Sequence, residues 1–400
     1  MRPRSTDTRE YERFAAYAAN EAFYRGEPGA QLTLLSTPKR DEVRAVFNYA
    51  RDILNKHAAA TVNGLECRVG NVPLLQQDEE AQRELDDALR NSSAYTTDFT
   101  AALNACVLGD GAFYFSHLDG QVFYRTLHPG DVEVLEWRAD GQPERVMVQL
   151  DDRIETWSRE SVSIEGPSSR QLAAPASPEM SGIPVPASEL PQAGASTAQS
   201  YLNPYGLLPV VVFPNWPRPG SHWGDSTLEH IKAACRLLNE RIDLLMWLVR
   251  VQGNPPIKAL GVETTALRTD PGEIWSAPAG AQLELVRLLD AETAGIHIDT
   301  IKLLLQVVKE LSNTPSVAYG IGNTELSGRA LELSYMPMTQ AASVRRGFFG
   351  EAVRQRNRII LRMAEVLHRL DLSGHYETTV TFAPVLPIGL NGSAGSPGSS

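Results

Sequence analysis

The sequence predicts an α+β fold that is mainly helical, and three observations support this class. Several long segments carry apolar residues at steps of three and four, the spacing of one helix face. The stretch 111–157 instead carries short runs rich in aromatic and β-branched residues. With 42% hydrophobic and 21% charged residues among 400, the chain can bury a sizeable core and form two or three structural units.

The N-terminal part is predicted to be helical. Segments 11–25 and 38–60 have helical spacing, and in the second the apolar face consists of Val43, Val46, Phe47, Ala50, Ile53 and Leu54. The segment from Asp78 to Leu108 also reads as largely helical, acidic at first and apolar later. We interpret its acidic part as a solvated face.

A small antiparallel sheet is predicted between Gly111 and Trp157. Asp119-Gly120 and Asp140-Gly141 stand between its apolar runs, where hairpin turns need residues that accept positive φ. Residues 166–200 follow, rich in Pro, Ser and Ala, and burial there cannot offset the entropy of ordering, so we expect a mobile linker or external loop.

Order is expected to return at Asn203-Pro204-Tyr205-Gly206, which precedes the β-rich run 207–213. The most regular helix of the chain comes next, because seven residues lie on one stripe: Leu228, Ile231, Cys235, Leu238, Ile242, Leu245 and Val249. An ordinary core-facing helix explains this spacing. Asp225 or Ser226 can cap the start of the helix, and Asn254-Pro255-Pro256 ends it.

The C-terminal third combines helices with short strands. Residues 257–290 read as strands and turns, and a helix is predicted from about Ala291 to Leu311, with Ile298, Ile301, Leu305 and Val308 on one face. The longest helix is predicted from Ala330 to Leu370, with a bend or break near Pro337. Tyr376 to Pro384 reads as a strand.

A glycine-bearing, mostly uncharged loop from Pro315 to Arg329 separates two of these helices. Pro315 stops the preceding helix, and Gly320, Gly322 and Gly328 allow backbone conformations that other residues resist. A loop of this length between helices usually serves something outside the core. An ordinary surface loop is the alternative.

Composition limits the classes of function. The net charge of −11 argues against a protein that grips nucleic acid by neutralising phosphates, although looser contact with DNA stays open. No run of about 18 apolar residues occurs, and the N-terminus lacks a signal-peptide core, so we expect synthesis in the cytoplasm and no membrane partner. The three cysteines are far apart, which favours buried free thiols over disulfides or a zinc site.

Motifs for catalysis are not visible. The eight histidines lie in unlike contexts, and no nucleophile elbow or phosphate-binding loop is present, so we predict no catalytic residues, no metal and no cofactor. Gly320-Ile321-Gly322 follows a helix rather than a strand and does not fit a dinucleotide loop. The last long helix is rich in arginine: Arg345, Arg346, Arg354, Arg356, Arg358, Arg362 and Arg369. These arginines could contact nucleic acid, but pairing with acidic surface such as 78–87 is the favoured interpretation.

In this order, the segments resemble the portal proteins of tailed bacteriophages, the ring-shaped head-to-tail connectors. The similarity spans roughly residues 10–385. Its most specific elements are the run Asn203 to Asn215, Gly224-Asp225-Ser226 at the start of a long helix, and Ser327 to Leu331 at the start of the last one.

The resemblance implies a portal-type architecture with a wing, a two-helix stem, a small clip and a tunnel loop. It implies a wing in 1–226, stem helices in 227–256 and 291–315, a clip in 257–290, a tunnel loop in 316–329, and a long wing helix and strand in 330–385. The crown that often follows in such proteins is not recognisable, and 386–400 reads as a disordered tail rich in Gly, Ser and Pro.

The resemblance also implies a function. Portal subunits form a ring, usually of twelve, at the capsid vertex of the virion, where double-stranded DNA is packaged and ejected. The implied partners are other copies of the chain, DNA, terminase, the major capsid protein and a head-tail adaptor, with assembly in the host cytoplasm. The implied DNA-facing loop residues are Tyr319, Asn323, Thr324, Glu325, Ser327 and Arg329. The alternatives are a non-portal oligomeric scaffold associated with the capsid and, more distantly, an enzyme with an unrecognised site.

Overall fold

The computed structural model describes residues 8–32, 46–70, 76–165, 199–253, 257–260, 280, 282–285, 290–320, 328–372 and 375–385. Its α-helices are α1 (Thr8–Arg25), α2 (Pro28–Gln31), α3 (Tyr49–Val62), α4 (Gln76–Asn91), α5 (Ala94–Leu108), α6 (Leu228–Gly253), α7 (Ala291–Leu311) and α8 (Gly328–His368). Its first strands are β1 (Glu66–Val69), β2 (Asp110–Leu118), β3 (Gln121–Leu127), β4 (Val132–Trp137), β5 (Pro143–Gln149), β6 (Ile154–Trp157) and β7 (Ser161–Glu165). The remaining strands are β8 (Gln199–Leu202), β9 (Val210–Pro214), β10 (Trp216–Pro217), β11 (Gly224–Asp225), β12 (Ile257–Leu260), β13 (Gln282–Leu285) and β14 (Thr378–Thr381). The predicted α+β class is confirmed.

The sequence predicts one small antiparallel sheet between Gly111 and Trp157, but the strands of this region belong to two antiparallel sheets, which also include β7, β8 and β9. One has three strands in the order β3-β2-β9, and the other has five in the order β4-β5-β6-β7-β8. The hairpin between β2 and β3 turns at Asp119 and Gly120, whose φ values are 50° and 78°. Positive φ at both central residues gives the turn the twist of its strands, which is why Asp-Gly stands there.

Strand β2 separates two cores because its side chains alternate between faces. Phe113 and Phe115 lie in the main core, which also contains residues of α3, α5, α6, α7 and α8. Ala112 and Tyr114 lie in a second core against the five-stranded sheet. The hydroxyl of Tyr114 donates to Glu155 at 2.8 Å, so the two sheets are also joined by a buried hydrogen bond.

The run from Asn203 to Asn215 contains two asparagines that shape the chain around it. The side chain of Asn203 accepts from the Tyr205 amide at 3.0 Å and donates to the carbonyls of Ser158 and Leu207, each at 2.8 Å. Asn203 therefore stabilises its own turn. It also connects the end of the five-stranded sheet to the segment that leads into β9.

Gly109 and Gly224 bring two backbone segments close together before α6 begins. A Cβ atom on Gly224 would lie 2.5 Å from the Gly109 carbonyl oxygen, and one on Gly109 would lie 2.6 Å from the Gly224 oxygen. The side-chain Nδ2 atom of Asn215 donates to the Asp225 carbonyl at 3.0 Å, and its backbone amide donates to the Gly109 carbonyl at 2.8 Å. Position 224 therefore needs a glycine, because a side chain there would clash with the Gly109 carbonyl.

The structure corrects some helix predictions. Residues 46–48 precede α3 instead of belonging to it, because Asn48 caps that helix by accepting from the Arg51 amide at 3.1 Å, and Phe47 is exposed. The helix predicted from 78 to 108 is two helices, separated at Ser93, whose φ of 49° is left-handed. Helix α8 passes Pro337 without a break.

Two further predictions need correction. Gln199 and Ser200 are not part of a linker, because they pair with β7 as the first residues of β8. Asp78 does not lie on a solvated face, because it is buried and pairs with His375 at 2.7 Å. Residues 166–198, most of the predicted clip and the tail 386–400 lie outside the described residues.

Candidate functional site

Helix α6 begins at a buried cap. The Ser226 hydroxyl oxygen accepts from the Leu228 amide at 3.0 Å and lies 3.1 Å from the carbonyl of Cys106 and 2.6 Å from that of Val107. Of the two caps that the sequence allows, Ser226 is the one used, since Asp225 instead accepts from the Arg218 guanidinium. The start of α6 is therefore fixed to the end of α5.

The regular stripe of α6 is buried only in its first half. Leu228, Ile231, Cys235 and Leu238 are buried, as the core-facing interpretation predicts. Past Asn239 the helix continues to Gly253 with no buried residue, and Val249 at the end of the stripe is 52% exposed. Beyond Ile242, which still packs partly against it, α6 therefore leaves the main core.

Helix α7 returns alongside α6. It packs against α6 and is capped by the Asp290 carboxylate, which accepts from the Thr293 amide at 2.7 Å. Val308, near its C-terminal end, is its buried residue, and the predicted bounds of this helix are confirmed. The strands β12 and β13 pair antiparallel between the two helices. We call α6, α7 and these strands the arm.

Each arm helix has a second apolar face that this chain leaves exposed. On α6, Leu237, Leu244 and Trp247 are separated by seven and three residues, so they share one side of the helix and are all exposed. On α7, Ile296 and Leu303 are seven residues apart and are 62% and 60% exposed. Sequence reasoning missed this face because it followed only the most regular stripe, although the apolar residues and their spacing were visible.

The segment that leads from α7 into the predicted tunnel loop is anchored by His57 of α3. Its Nε2 atom donates to the Ser312 carbonyl at 2.8 Å and lies 3.1 Å from the Thr314 hydroxyl oxygen. Since the carbonyl can only accept, the proton is on Nε2, and Nδ1 accepts from Arg345 Nη2 at 2.5 Å. Burial and the nearby charge of Arg345 lower the pKa of His57 to about 3, so the ring is neutral.

Tyr319 lies at the end of the segment that His57 anchors. The sequence places this residue at the start of the predicted loop. Its ring is half-buried, and the ammonium nitrogens of Lys56 and Lys309 lie 4.7 and 5.6 Å from the ring centroid. Burial raises the pKa of the Tyr319 hydroxyl. Arg329, at the other end of the loop, is exposed and forms an ion pair with Glu332 at 3.4 Å.

The other predicted loop residues are Asn323, Thr324, Glu325 and Ser327, and they lie outside the described residues. Of the six predicted residues, the structure describes Tyr319 and Arg329. Contact between these six side chains and DNA stays a prediction.

The arginines of α8 do not form one basic surface. Arg345 and Arg356 are buried, and Arg346 donates to the backbone carbonyls of Ala60 and Ala383 at 2.7 Å each. Arg354 is exposed and pairs with Glu351 at 2.5 Å on its own helix. These inward contacts weigh against a nucleic-acid role for the helix as a whole.

The described part of the chain contains neither a metal-ligand cluster nor a membrane-spanning helix. No group of three or more His, Cys, Asp or Glu residues there is arranged to hold a metal ion. Within the same ranges, none of the helices has the length and hydropathy needed to cross a bilayer. Cys106 and Cys235 are buried free thiols, and Cys67 is a partly buried one.

Comparison with known proteins gives no match to a family model and no match among curated proteins. Among the solved structures similar to this chain are three chains from gene transfer agent (GTA) particles, each at 11% sequence identity. A chain from the virion of a native GTA particle has a TM-score of 0.44, with 91% of this chain and 82% of that chain covered.

Two further similar chains come from GTA necks. One, from the neck of an empty particle computed with C6 symmetry, has a TM-score of 0.45, with 86% of this chain and 82% of that chain covered. The other, from the neck of a native particle computed with C12 symmetry, has a TM-score of 0.42, with 83% and 79% covered.

Proposed function

We propose that this chain is a portal subunit that assembles into a ring at the head vertex of a phage-like particle and forms a conduit for double-stranded DNA. The observation that carries the proposal is the second apolar face on each arm helix. A helix that is apolar on more than one side needs neighbours on more than one side. Within this chain α6 and α7 cover only one side of each other, so a second copy is the natural partner.

The two exposed faces belong to different helices, which favours a head-to-tail contact. The face of α6 is formed by Leu237, Leu244 and Trp247, and that of α7 by Ile296 and Leu303. If the α6 face of one subunit packs on the α7 face of the next, the interface is heterologous, and repetition closes into a ring when the rotation allows it. The arms then line the ring, and the loop between α7 and α8 points from them toward the axis.

The charge of the chain suits a conduit. Each subunit carries a formal charge of −11, so a ring has a wall that on average repels phosphates. Weak contact lets DNA slide, whereas clustered Lys and Arg would hold it. In the same proposal, the outer surfaces of the ring dock terminase, the major capsid protein and the head-tail adaptor, while the motor ATPase is the separate terminase.

Assembly of the purified protein tests the proposal. We expect negative-stain images and mass photometry to show rings with an axial channel. Trp247→Glu and Leu303→Glu should raise the concentration needed for assembly roughly tenfold or more, because each removes about 1.5–3 kcal/mol of apolar burial from every interface.

Matched controls come from exposed apolar residues outside the arm. Tyr95 and Leu118 are 75% and 63% exposed, and Tyr95→Glu and Leu118→Glu should leave rings intact. A wild-type protein that stays monomeric would contradict the proposal. Oligomers without an axial channel would instead favour the non-portal scaffold alternative.

A further inference from the structure

Helix α6 has a polar face beside its buried stripe, and the N-terminal helices hold this face. Lys232, Arg236 and Asn239 are separated by four and three residues, so they share one side of the helix. Lys232 Nζ donates to Asn20 Oδ1 at 2.5 Å, and Arg236 Nε donates to the Ala30 carbonyl at 2.8 Å. The first two turns of the polar face are therefore bonded to α1 and α2.

Asn239, the last residue of the polar face, belongs to a network of three amide side chains. Its Nδ2 atom donates to Gln31 Oε1 at 2.7 Å, and its Oδ1 atom accepts from the Phe47 backbone amide at 3.0 Å. Gln31 Nε2 donates to the Phe23 carbonyl at 2.6 Å and to Asn48 Oδ1 at 3.1 Å. Asn239 is 1% exposed and Gln31 is 0% exposed, so this network is shielded from water.

The orientation of both buried amide groups is fixed by their partners. The Phe23 carbonyl can only accept a hydrogen bond, so the nitrogen of Gln31 must face it. The Phe47 backbone amide can only donate, so the oxygen of Asn239 must face it. The two side chains then meet with a donor on Asn239 and an acceptor on Gln31, and no other arrangement satisfies all of these groups.

The network lies where α6 leaves the main core. Asn239 is the last buried residue of the helix, which continues to Gly253. At about 1.5 Å rise per residue, the end of the helix lies about 21 Å beyond Asn239. A tilt of about 3° at Asn239 moves that end by about 1 Å. A small change of direction at the network is therefore amplified along the arm.

Buried amide groups restrict the direction of a helix more strictly than apolar contacts do. The hydrophobic effect is non-directional, so an apolar stripe alone tolerates small rotations of the helix. A rotation that breaks buried hydrogen bonds leaves polar groups without partners away from water, which is costly. For the same reason, a single buried asparagine can select register and oligomeric state in a coiled coil.

The proposed ring is sensitive to the direction of the arm. In a closed ring of about twelve subunits, neighbouring copies are related by a rotation of about 30°, and one subunit more or less changes this rotation by only about 2–3°. A single subunit number therefore requires every copy to present its arm in the same direction.

We propose that the polar face of α6, with its amide partners Gln31 and Asn48, selects one subunit number by fixing the direction of the arm. This inference rests on the proposed ring and assigns the residues that determine its size. Asn239 is buried inside the subunit, so it acts on the contact between copies only through the direction of the helix. It is a positioning residue.

Native mass spectrometry of assembled rings tests the inference, and the wild-type protein should show one dominant subunit number. Asn239→Leu keeps a branched side chain but removes both hydrogen bonds, so the share of rings with another subunit number should rise about tenfold. Val353→Ala is the matched control. Val353 is 0% exposed on α8, so its truncation also costs stability, but the subunit number should stay that of the wild type.

Lys232→Met combined with Arg236→Met tests the same face if Asn239→Leu does not fold. Both side chains are only partly buried, so the chain should fold, and the share of other ring sizes should rise about two- to threefold. Rings of wild-type size alone in the variant that folds would overturn the inference, as would an equal spread of sizes in Val353→Ala. Either result leaves the proposed function intact, whereas a wild-type protein without rings would contradict that function and this inference with it.

Discussion

At the scale of single residues, the buried arginines of α8 carry structure rather than nucleic-acid contact. Arg356 is fully buried, and its ion pair with Asp98 is extended by the Tyr124 hydroxyl at 3.1 Å. The three residues come from α8, α5 and β3, so the cluster ties the last helix to an early helix and to the three-stranded sheet. The sequence places these residues far apart and shows only that arginines are frequent in α8.

Removing one member of this pair should be costly. We expect Arg356→Met to lower the free energy of unfolding by about 3–5 kcal/mol, because the Asp98 carboxylate is then left buried without a partner. Urea unfolding followed by near-ultraviolet circular dichroism measures the change. Arg354→Met is the matched control: its partner Glu351 is exposed, and the expected change is within about 0.5 kcal/mol. Equal effects of the two substitutions would contradict this account.

At the scale of elements, α6 is a helix with two different environments along its length. Its first half packs on the main core, Ile242 still packs partly against that core, and α7 lies alongside the helix. The buried cap at Ser226 sets where the helix starts and how it enters the core, and both arm helices depend on that entry. The orientation of the arm is therefore determined at the N-terminal end of α6, which is buried in the main core.

The cap should contribute measurably to stability. We expect Ser226→Ala to lower the free energy of unfolding by about 1–2 kcal/mol, since the Leu228 amide loses its acceptor. The matched control is Asp225→Ala, which removes a surface ion pair with Arg218 and should change stability by less than about 0.5 kcal/mol. Urea unfolding of both variants decides between the two caps. A larger loss for Asp225→Ala would show that the assignment is wrong.

At the scale of the whole molecule, the arm and the loop anchor define one proposed function. His57 and Tyr319 hold the start of the loop on α3, so in the proposed ring the loop would extend from a fixed point. Portal function requires this combination, because a loop that contacts moving DNA needs a rigid base.

Changes in the loop should impair packaging while leaving the ring intact. We expect Asn323→Trp and Thr324→Glu to reduce DNA packaging several-fold, because bulk or negative charge there opposes the passage of a phosphate-lined duplex. A packaging assay with purified motor measures this effect, and negative staining checks that rings still form. Packaging at the wild-type level with both variants would rule out contact of these residues with DNA.

Several features could be predicted from the sequence because they depend on nearby residues. The bounds of α7 and the turn at Asp119-Gly120 follow from spacing and from backbone preference over a few residues. The paired residues His57 and Arg345 could not be predicted, since they are 288 positions apart and neither belongs to a motif. The burial of Asp78 was likewise missed, because its partner His375 comes from the C-terminal segment.

The sequence by itself determined the α+β class, most of the helices and the hairpin of the first sheet, because periodicity and turn chemistry act over short distances. Only the tertiary structure decided which side of each helix is covered, since burial depends on elements that are remote in the chain. The stripe of α6 is core from Leu228 to Leu238 and ends at Val249, which is 52% exposed. That change arises where α6 passes the edge of the main core, and the separate exposed face of Leu237, Leu244 and Trp247 lies on another side of the helix.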